Sequence, residues 1–169
     1  MSPTKIGQSH LKFNGCADMA GAMARLFNLV TNTAPHLTHI APDKRTSIEE
    51  HDKITMGTKI YTDGSGIHGK IRASAIHYRR NGDTRAICYH LGWKDEHTVY
   101  KAESLVLTMA AHLLYTERDI ETPVNIFVDS QAAIKSSDVF TTKSGHYLID
   151  QFHRTLRFAI KKHSLIIVM

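Results

Sequence analysis

The sequence predicts an α/β fold in which helices flank a mixed five-stranded sheet. Three strand-like segments joined by glycine-containing turns fill residues 58–92, and a long amphipathic helix follows at residues 97–120. Two apolar strand-like segments, at residues 122–130 and 163–169, are separated by further helical sequence. Strands joined by tight turns pair antiparallel, whereas a strand–helix–strand connection places its two strands parallel. We therefore expect the first three strands to be antiparallel, and the first, fourth and fifth to be parallel to one another.

The composition indicates one folded domain without a membrane-spanning segment. The chain has 169 residues, of which 42% are hydrophobic and 22% are charged, as in globular proteins. The net charge of +5 weakly favours polyanionic partners such as nucleic acids, although many small basic proteins owe such a charge to solvated lysines. No apolar stretch is long enough to span a membrane, no signal peptide is recognised, and the two cysteines form no motif. We therefore expect an intracellular protein of the cytoplasm or nucleus.

Residues 1–56 differ from the remainder and are predicted to be an N-terminal extension or linker with short helices. One helix is expected around Met19–Val30, where apolar residues recur at helical spacing, although Gly21 weakens it. Ser47 and Glu50 have the spacing of a capping box, which predicts a second helix with Ser47 as its N-cap. The extension contains no catalytic motif, so the functional domain is assigned to residues 57–169.

The first three strands are defined by their turns. The first strand, Thr58–Asp63, is expected to end at its aspartate, with the glycines at positions 64, 66 and 69 forming the turn that follows. The alternating sequence KIRASAIHYRR predicts the second strand, and Asn81–Asp83 is a strong hairpin signal before a third strand, TRAICYHLG. These segments predict an antiparallel meander.

The remaining elements alternate between helix and strand. The long helix is expected to begin after Thr98, and its apolar residues keep the helical period over five turns. A buried strand then ends at Asp129, and a short helix capped by Ser130 follows. The apolar stripe of SGHYLIDQFHRTLRFAIKK predicts another helix, and HSLIIVM predicts the last strand.

Two aspartates and one glutamate are distinguished by their positions. Asp63 and Asp129 end the first and fourth strands, so their carboxylates are expected at the same edge of the sheet if these strands are neighbours. Glu103 lies near the start of the long helix at the border of its buried stripe, and is expected to face the sheet, unlike Glu117 and Glu121. Three converging carboxylates repel one another and favour a hard cation such as Mg²⁺ or Mn²⁺.

Each of these acidic residues also has an ordinary structural explanation. Aspartate before glycine or serine is common in turns and helix caps, and glutamate near a helix N-terminus complements the helix dipole. Both explanations stay open for each residue alone, and the conjunction of two strand ends with an inward-facing glutamate favours a metal site. Two such ions would suit in-line phosphodiester hydrolysis.

Four segments together resemble the ribonuclease H domain of reverse transcriptases from non-LTR retrotransposons, especially the fungal type. The segments are IYTDGSGIHGKIRASAI, VYKAESLVL, NIFVDSQAAIK and SGHYLIDQFHRTL, and the resemblance covers about Glu50–Met169. It implies the ribonuclease H fold with sheet order 3-2-1-4-5. It also implies an endonuclease that hydrolyses the RNA strand of RNA–DNA hybrids with two Mg²⁺ ions, or with Mn²⁺.

The resemblance further implies roles for individual residues. The three that match catalytic, metal-binding carboxylates are Asp63, Glu103 and Asp129, and those that match segments beside the substrate are Gly64, Ser65, Ser130 and Gln131. Arg154, Arg157 and Lys161 share one face of a predicted helix, which either contacts substrate phosphates or is simply solvated. Trp93 is expected to be a packing residue rather than a base-stacking platform.

The sequence departs from the family pattern in two places. The family continues past the fifth strand into a loop with a catalytic histidine and a helix with a fourth carboxylate, whereas this sequence ends at LIIVM. We therefore expect a truncated domain without the C-terminal helix, a weaker second metal, and a last strand whose apolar edge is exposed. A homo-oligomer, a protein partner or the helix at Met19–Val30 is expected to cover that edge. Arg72 stands where the family usually has a small residue.

Two functions are consistent with these features. The first is a metal-dependent ribonuclease H domain of weakened activity, and the intact set of three carboxylates favours it. The second is a non-catalytic, retrotransposon-derived module that binds nucleic acid or a protein, and the missing fourth carboxylate favours that hypothesis.

Overall fold

The computed structural model describes residues 35–79, 81–138 and 147–169, so the helix predicted at Met19–Val30 lies outside the described residues. The helices and strands within these ranges are α1 (Lys44–Lys53), β1 (Thr58–Ile67), β2 (Lys70–Tyr78), β3 (Thr84–Trp93), α2 (Val99–Thr116), β4 (Val124–Val128), α3 (Gln131–Ser137), α4 (Tyr147–His163) and β5 (Ile167–Val168). None of these helices is long and apolar enough to cross a lipid bilayer.

The five strands form one mixed sheet in the order β3-β2-β1-β4-β5. Strand β2 is antiparallel to β1 and β3, and β4 is parallel to β1 and β5. This is the order predicted for the ribonuclease H fold, so the predicted fold class is confirmed. The parallel pairing of β1 with β4 matters most for function, because it brings the residues after Thr62 and Val128 side by side.

One face of the sheet, here called the inner face, packs against helices α2 and α4. Ile60, Ile71 and Ala75 are buried on this face and share one hydrophobic core with Val106 of α2 and Phe152 of α4. Side chains of a strand alternate between its two faces, so the intervening residues of β1 and β2 lie on the opposite, outer face. This alternation decides which residues of β1 contact the helices and which face outward.

Strand β1 continues to Ile67 and does not end at Asp63 as predicted. The reason is that β2 pairs with β1 continuously from Lys59 to Ile67, so the ladder extends past the aspartate. The turn is confined to His68 and Gly69, whose φ angles are 51° and 74°. The glycines at positions 64 and 66 are therefore strand residues, and the prediction that they form the turn is wrong.

Helix α1 begins earlier than predicted because Asp43, and not Ser47, is its N-cap. The Asp43 carboxylate accepts hydrogen bonds from the backbone N–H of Thr46 at 2.9 Å and from the Thr46 hydroxyl at 3.0 Å. Ser47 lies inside the helix and donates its backbone N–H to the carbonyl of Asp43 at 3.0 Å. The aspartate satisfies an N–H group of the first helical turn that has no partner within the helix.

The outer edge of β5 is covered by the chain itself. Leu37 forms a parallel bridge with Val168, and its N–H donates to the Ile167 carbonyl at 2.9 Å. The N–H of Met169 donates to the Leu37 carbonyl at 2.8 Å, and the N–H of His39 donates to the Met169 carbonyl at 2.6 Å. The prediction of an exposed apolar edge is therefore wrong. The covered edge gives no reason to expect a homo-oligomer or a protein partner there.

Side chains of the same segment attach it to helices α3 and α4. His36 is buried, with its Nε2 atom 3.2 Å from the Ser137 hydroxyl, and the Thr38 hydroxyl donates to the Asp138 carboxylate at 2.7 Å. Burial, and then the charge of the nearby His153, lower the pKa of His36 to about 3, so this ring is neutral at neutral pH. The residues before α1 thus pack against the domain, while the boundary predicted at residue 57 stays a prediction.

Candidate active site

Asp63 lies within β1 on the outer face of the sheet. Its neighbours Thr62 and Gly64 are buried, whereas Asp63 itself is exposed. In the β1–β2 hairpin it is paired with Ser74. The strand therefore presents this carboxylate to solvent on the face opposite the hydrophobic core.

Asp129 directly follows β4 and approaches Asp63 through the parallel pairing of the two strands. Thr62 is paired with Val128, and Asp63 and Asp129 are the next residues along their respective strands. Partial burial, and then the negative charge of Asp63, raise the pKa of Asp129 above its ordinary value. The two carboxylates therefore repel each other, and a bound cation would relieve that repulsion.

Glu103 is placed against Gly64, the residue that follows Asp63, by the close approach of α2 to β1. A Cβ atom added at Gly64 would lie 2.6 Å from the backbone nitrogen of Glu103 and 2.8 Å from its Cγ. Such distances are possible only because position 64 has no side chain. Glu103 is half-buried at this contact, which agrees with its predicted place at the border of the buried stripe.

The three carboxylates suit a hard cation by their chemistry but do not form a closed set of ligands. Their donor atoms are all oxygens, which Mg²⁺ and Mn²⁺ prefer. Within the described part of the chain, no three His, Cys, Asp or Glu side chains are arranged so that they could hold a metal ion. The structure thus brings Asp63 and Asp129 together and puts Glu103 against the residue that follows Asp63.

The residues predicted to lie beside the substrate flank this cluster. Ser65 is half-buried on the outer face, two residues beyond Asp63. Ser130 is buried, and its hydroxyl accepts a hydrogen bond from the Ala133 N–H at 3.2 Å as the N-cap of α3. Gln131 is exposed at the first position of α3. Gln131 and Ser65 are therefore accessible to a ligand, whereas Ser130 is occupied with capping its helix.

A cavity of about 550 Å³ adjoins Asp129 between α1 and the sheet. Phe127, Asp129 and Gln131 line it on one side and His51 on the other, and most of its remaining lining is apolar. A larger cavity of about 670 Å³ lies at the opposite end of β1, lined by Thr58 and residues near it. The larger cavity is remote from the carboxylates, so we assign the candidate site by the carboxylates and not by cavity size.

The arginines and the tryptophan singled out from the sequence do not line the cavity beside Asp129. Arg154 and Arg157 are exposed on α4 and do not line the cavity beside Asp129. Trp93 is 54% exposed, and the Lys70 ammonium lies 5.3 Å from its ring centroid. Trp93 was expected to be a packing residue, and that expectation is wrong because it lies largely exposed at the end of the edge strand β3.

Sequence reasoning missed two residues that share the register position of Asp63. Ser74 on β2 is paired with Asp63, and Cys88 on β3 is paired with Ser74 and is exposed. Counting outward from the predicted Asn81–Asp83 turn would have placed Ser74 and Cys88 opposite each other. Their relation to Asp63 needed the true end of β1, which the sequence placed four residues too early.

No protein-family profile and no curated protein matches the chain. Three similar solved structures each cover 66% of this chain. The ribonuclease H1 of Halobacterium salinarum is 14% identical, with 83% of its chain covered and a TM-score of 0.47. The LC11 ribonuclease H1 in complex with RNA/DNA hybrid is 15% identical, with 84% covered and a TM-score of 0.46. The protease-reverse transcriptase of prototype foamy virus is 17% identical, with 17% covered and a TM-score of 0.46. The class of domain, a ribonuclease H-like fold, is defined here by the strand order itself.

Proposed function

We propose that this chain is a ribonuclease H-type domain that hydrolyses the RNA strand of RNA–DNA hybrids with Mg²⁺ or Mn²⁺. The observation that carries the proposal is the electrostatic coupling of Asp63 and Asp129 at the end of two parallel strands. Repelling carboxylates destabilise a fold unless something compensates them, and a divalent cation does so. The motif set that contains these residues resembles reverse transcriptases of non-LTR retrotransposons, and we propose that origin for the domain.

In this proposal Asp63, Glu103 and Asp129 hold the ions. Bound ions would activate a water nucleophile and stabilise charge that develops on the phosphate. Gly64 lets α2 approach closely enough to put Glu103 against the residue that follows Asp63. Ser65 and Gln131, on either side of the carboxylates, are positioned to contact the sugar–phosphate backbone.

A second function, a non-catalytic module that binds nucleic acid, is favoured by a different observation. The described residues contain no group of three side chains arranged to hold a metal ion. In that case the outer face would bind the hybrid without cleaving it. The two functions differ in one measurable property, which is metal-dependent cleavage.

The decisive experiment follows cleavage of an RNA–DNA hybrid, labelled on its RNA strand, in Mg²⁺, in Mn²⁺ and in EDTA. We expect cleavage with metal, none in EDTA, and a loss of at least about a hundredfold in Asp129→Asn, because metal catalysis supplies several kcal/mol. Asp95→Asn, in an exposed turn, is the matched control and should cleave normally. Binding without cleavage in either metal would favour the second function, and cleavage that persists in Asp129→Asn would rule out the assigned site.

A further inference from the structure

The outer face of the β1–β2–β3 meander carries positive charge next to Asp63. From Lys70 to Tyr78 along β2 the outward residues are Lys70, Arg72, Ser74, Ile76 and Tyr78, which include two cations and no acid. On β3 the residues paired with them are likewise free of acids. Asp63 is thus the one carboxylate among the outward residues of these three strands.

Arg72 is the arginine of this surface, and it has no counter-ion among the described residues. It is exposed, and its guanidinium has no hydrogen bond or ion pair with any described residue. Arg79 and Arg45, by contrast, are engaged: Arg79 donates to Glu117 at 2.7 Å and Arg45 donates to Glu49 at 2.9 Å. An exposed guanidinium next to a carboxylate cluster is available for an external anion.

The register of the sheet fixes where Arg72 lies relative to the candidate site. Arg72 is paired with Ser65 on β1 and with His90 on β3, so the three form one row across the sheet. Two residues along a strand span about 6.7 Å and neighbouring strands are about 4.8 Å apart, which puts the Cα atoms of Arg72 and Asp63 about 8 Å apart. The next row holds Lys70 and Trp93, whose contact keeps the lysine on the same surface.

We propose that the row Ser65–Arg72–His90 binds a backbone phosphate of the polynucleotide whose neighbouring phosphate lies at Asp63. The proposal rests on the proposed function, since it needs a polynucleotide at the carboxylates. Arg72 supplies a bidentate, always charged donor fork for the phosphate, and Ser65 and His90 supply further polar groups beside it. Lys70 extends the positive surface by one more row. The row sets the direction in which the strand leaves the site, across β2 and β3.

The test measures the salt dependence of binding to a fluorescein-labelled RNA–DNA hybrid in EDTA, where cleavage does not interfere. We expect Arg72→Gln to weaken binding about fivefold to tenfold and to reduce the slope of log Kd against log salt by about 0.7–0.9, the value for one lost phosphate contact. Arg72→Lys should keep the slope and lose part of the affinity, because it keeps the charge but not the fork. Arg118→Gln, an exposed arginine beside the larger cavity at the other end of β1, is the matched control and should behave as wild type.

The outcomes separate this inference from the proposed function. A wild-type protein that does not bind the hybrid in EDTA overturns the phosphate row, and the proposed function is then still decided by metal-dependent cleavage. If the wild type binds and Arg72→Gln leaves the slope of log Kd against log salt unchanged, the phosphate row alone is overturned. The same holds if Arg72→Gln and Arg118→Gln lose affinity equally, because that would be a general effect of charge. Melting temperatures of the variants should equal that of the wild type, since Arg72 has no described partner to lose.

Discussion

At the scale of single residues, Glu117 is the only carboxylate buried among the described residues, at 6% exposure. It follows α2 and accepts hydrogen bonds from Arg79, at 3.1 and 2.7 Å, and from the Arg118 N–H at 3.0 Å. Burial alone would raise the pKa of Glu117, but these donors and the neighbouring positive charges outweigh it and lower the pKa to about 2. The sequence placed Glu117 off the buried stripe, and this was wrong because Arg79, directly after β2, and Arg85 of β3 pair with it.

Glu117 therefore makes folding stability depend on pH in the acidic range. Its pKa is about 2 in the folded chain against an ordinary 4.5, so its contribution is present above about pH 4.5 and is lost as the pH falls toward 2. We expect Glu117→Gln to lower the free energy of unfolding by about 2 kcal/mol at pH 7 and to cost little near pH 2. Urea unfolding at pH 7 and at pH 2.5 measures this, with Asp95→Asn as control. An equal loss at both pH values would show that the charge of Glu117 is not what stabilises the fold.

The contrast between Glu117 and Asp129 shows what a sequence reveals about a carboxylate. The position of Asp129 at the edge of the sheet could be predicted from the sequence, because the residue follows a strand that a crossover makes parallel to β1. That prediction needs no knowledge of which side chains contact Asp129. Glu117 is buried by long-range pairing with Arg79, which lies 38 positions away in the chain. Helix periodicity does not report such a contact. Local patterns thus placed the candidate site, and missed the buried ion pair.

At the scale of elements, the contact of β1 with α2 depends on two glycines with different surroundings. A Cβ at Gly64 would meet the backbone of Glu103 at 2.6 Å, which can move only if the helix moves. A Cβ at Gly66 would meet side-chain atoms of Val99 at 3.1 Å and Ile71 at 3.3 Å, and such side chains can adjust. Alanine at either position adds one methyl group, but only at Gly64 would that methyl group force the strand and the helix apart.

We expect Gly64→Ala to destabilise the chain by about 1–3 kcal/mol and Gly66→Ala by less than about 1 kcal/mol. Because Gly64→Ala pushes Glu103 away from Asp63, metal-dependent cleavage should also fall at least tenfold, whereas Gly66→Ala should keep most of it. Thermal unfolding and hybrid cleavage measure the two effects separately. A Gly64→Ala variant as stable as Gly66→Ala would contradict the close contact, whatever its activity.

The elements themselves were largely predictable, and their ends were not. Thr98 and Ser130 were identified as N-caps because a capping side chain acts within three residues. The end of β1 was misplaced because glycine and aspartate usually signal a turn, whereas here Gly64 is in the strand to admit the helix. Asp43 was missed as a cap because the capping-box spacing at Ser47 and Glu50 gave a competing signal.

At the scale of the whole molecule, the order of the strands could be predicted from the sequence, but the segment that covers the edge strand β5 could not. The three hydrogen bonds between Leu37–His39 and β5 join the start of the described chain to its end. Because the segment forms only a single β-bridge, its sequence lacks the alternating apolar pattern by which a strand is recognised. A strand as apolar as Ile167–Val168 at an uncovered edge would promote pairing between molecules. Residues Leu37–His39 cover that edge within one chain.

Removal of residues 1–40 should therefore expose this edge, whereas removal of residues 1–34 should leave it covered. We expect the protein that lacks residues 1–40 to lose at least about 2 kcal/mol of stability, because three backbone hydrogen bonds and the contacts of His36 and Thr38 are lost. It should also self-associate with rising concentration, which multi-angle light scattering and urea unfolding measure together. The protein that begins at residue 35, which keeps Leu37–His39, is the matched control and should remain monomeric. A monomeric, equally stable protein lacking residues 1–40 would show that β5 needs no cover.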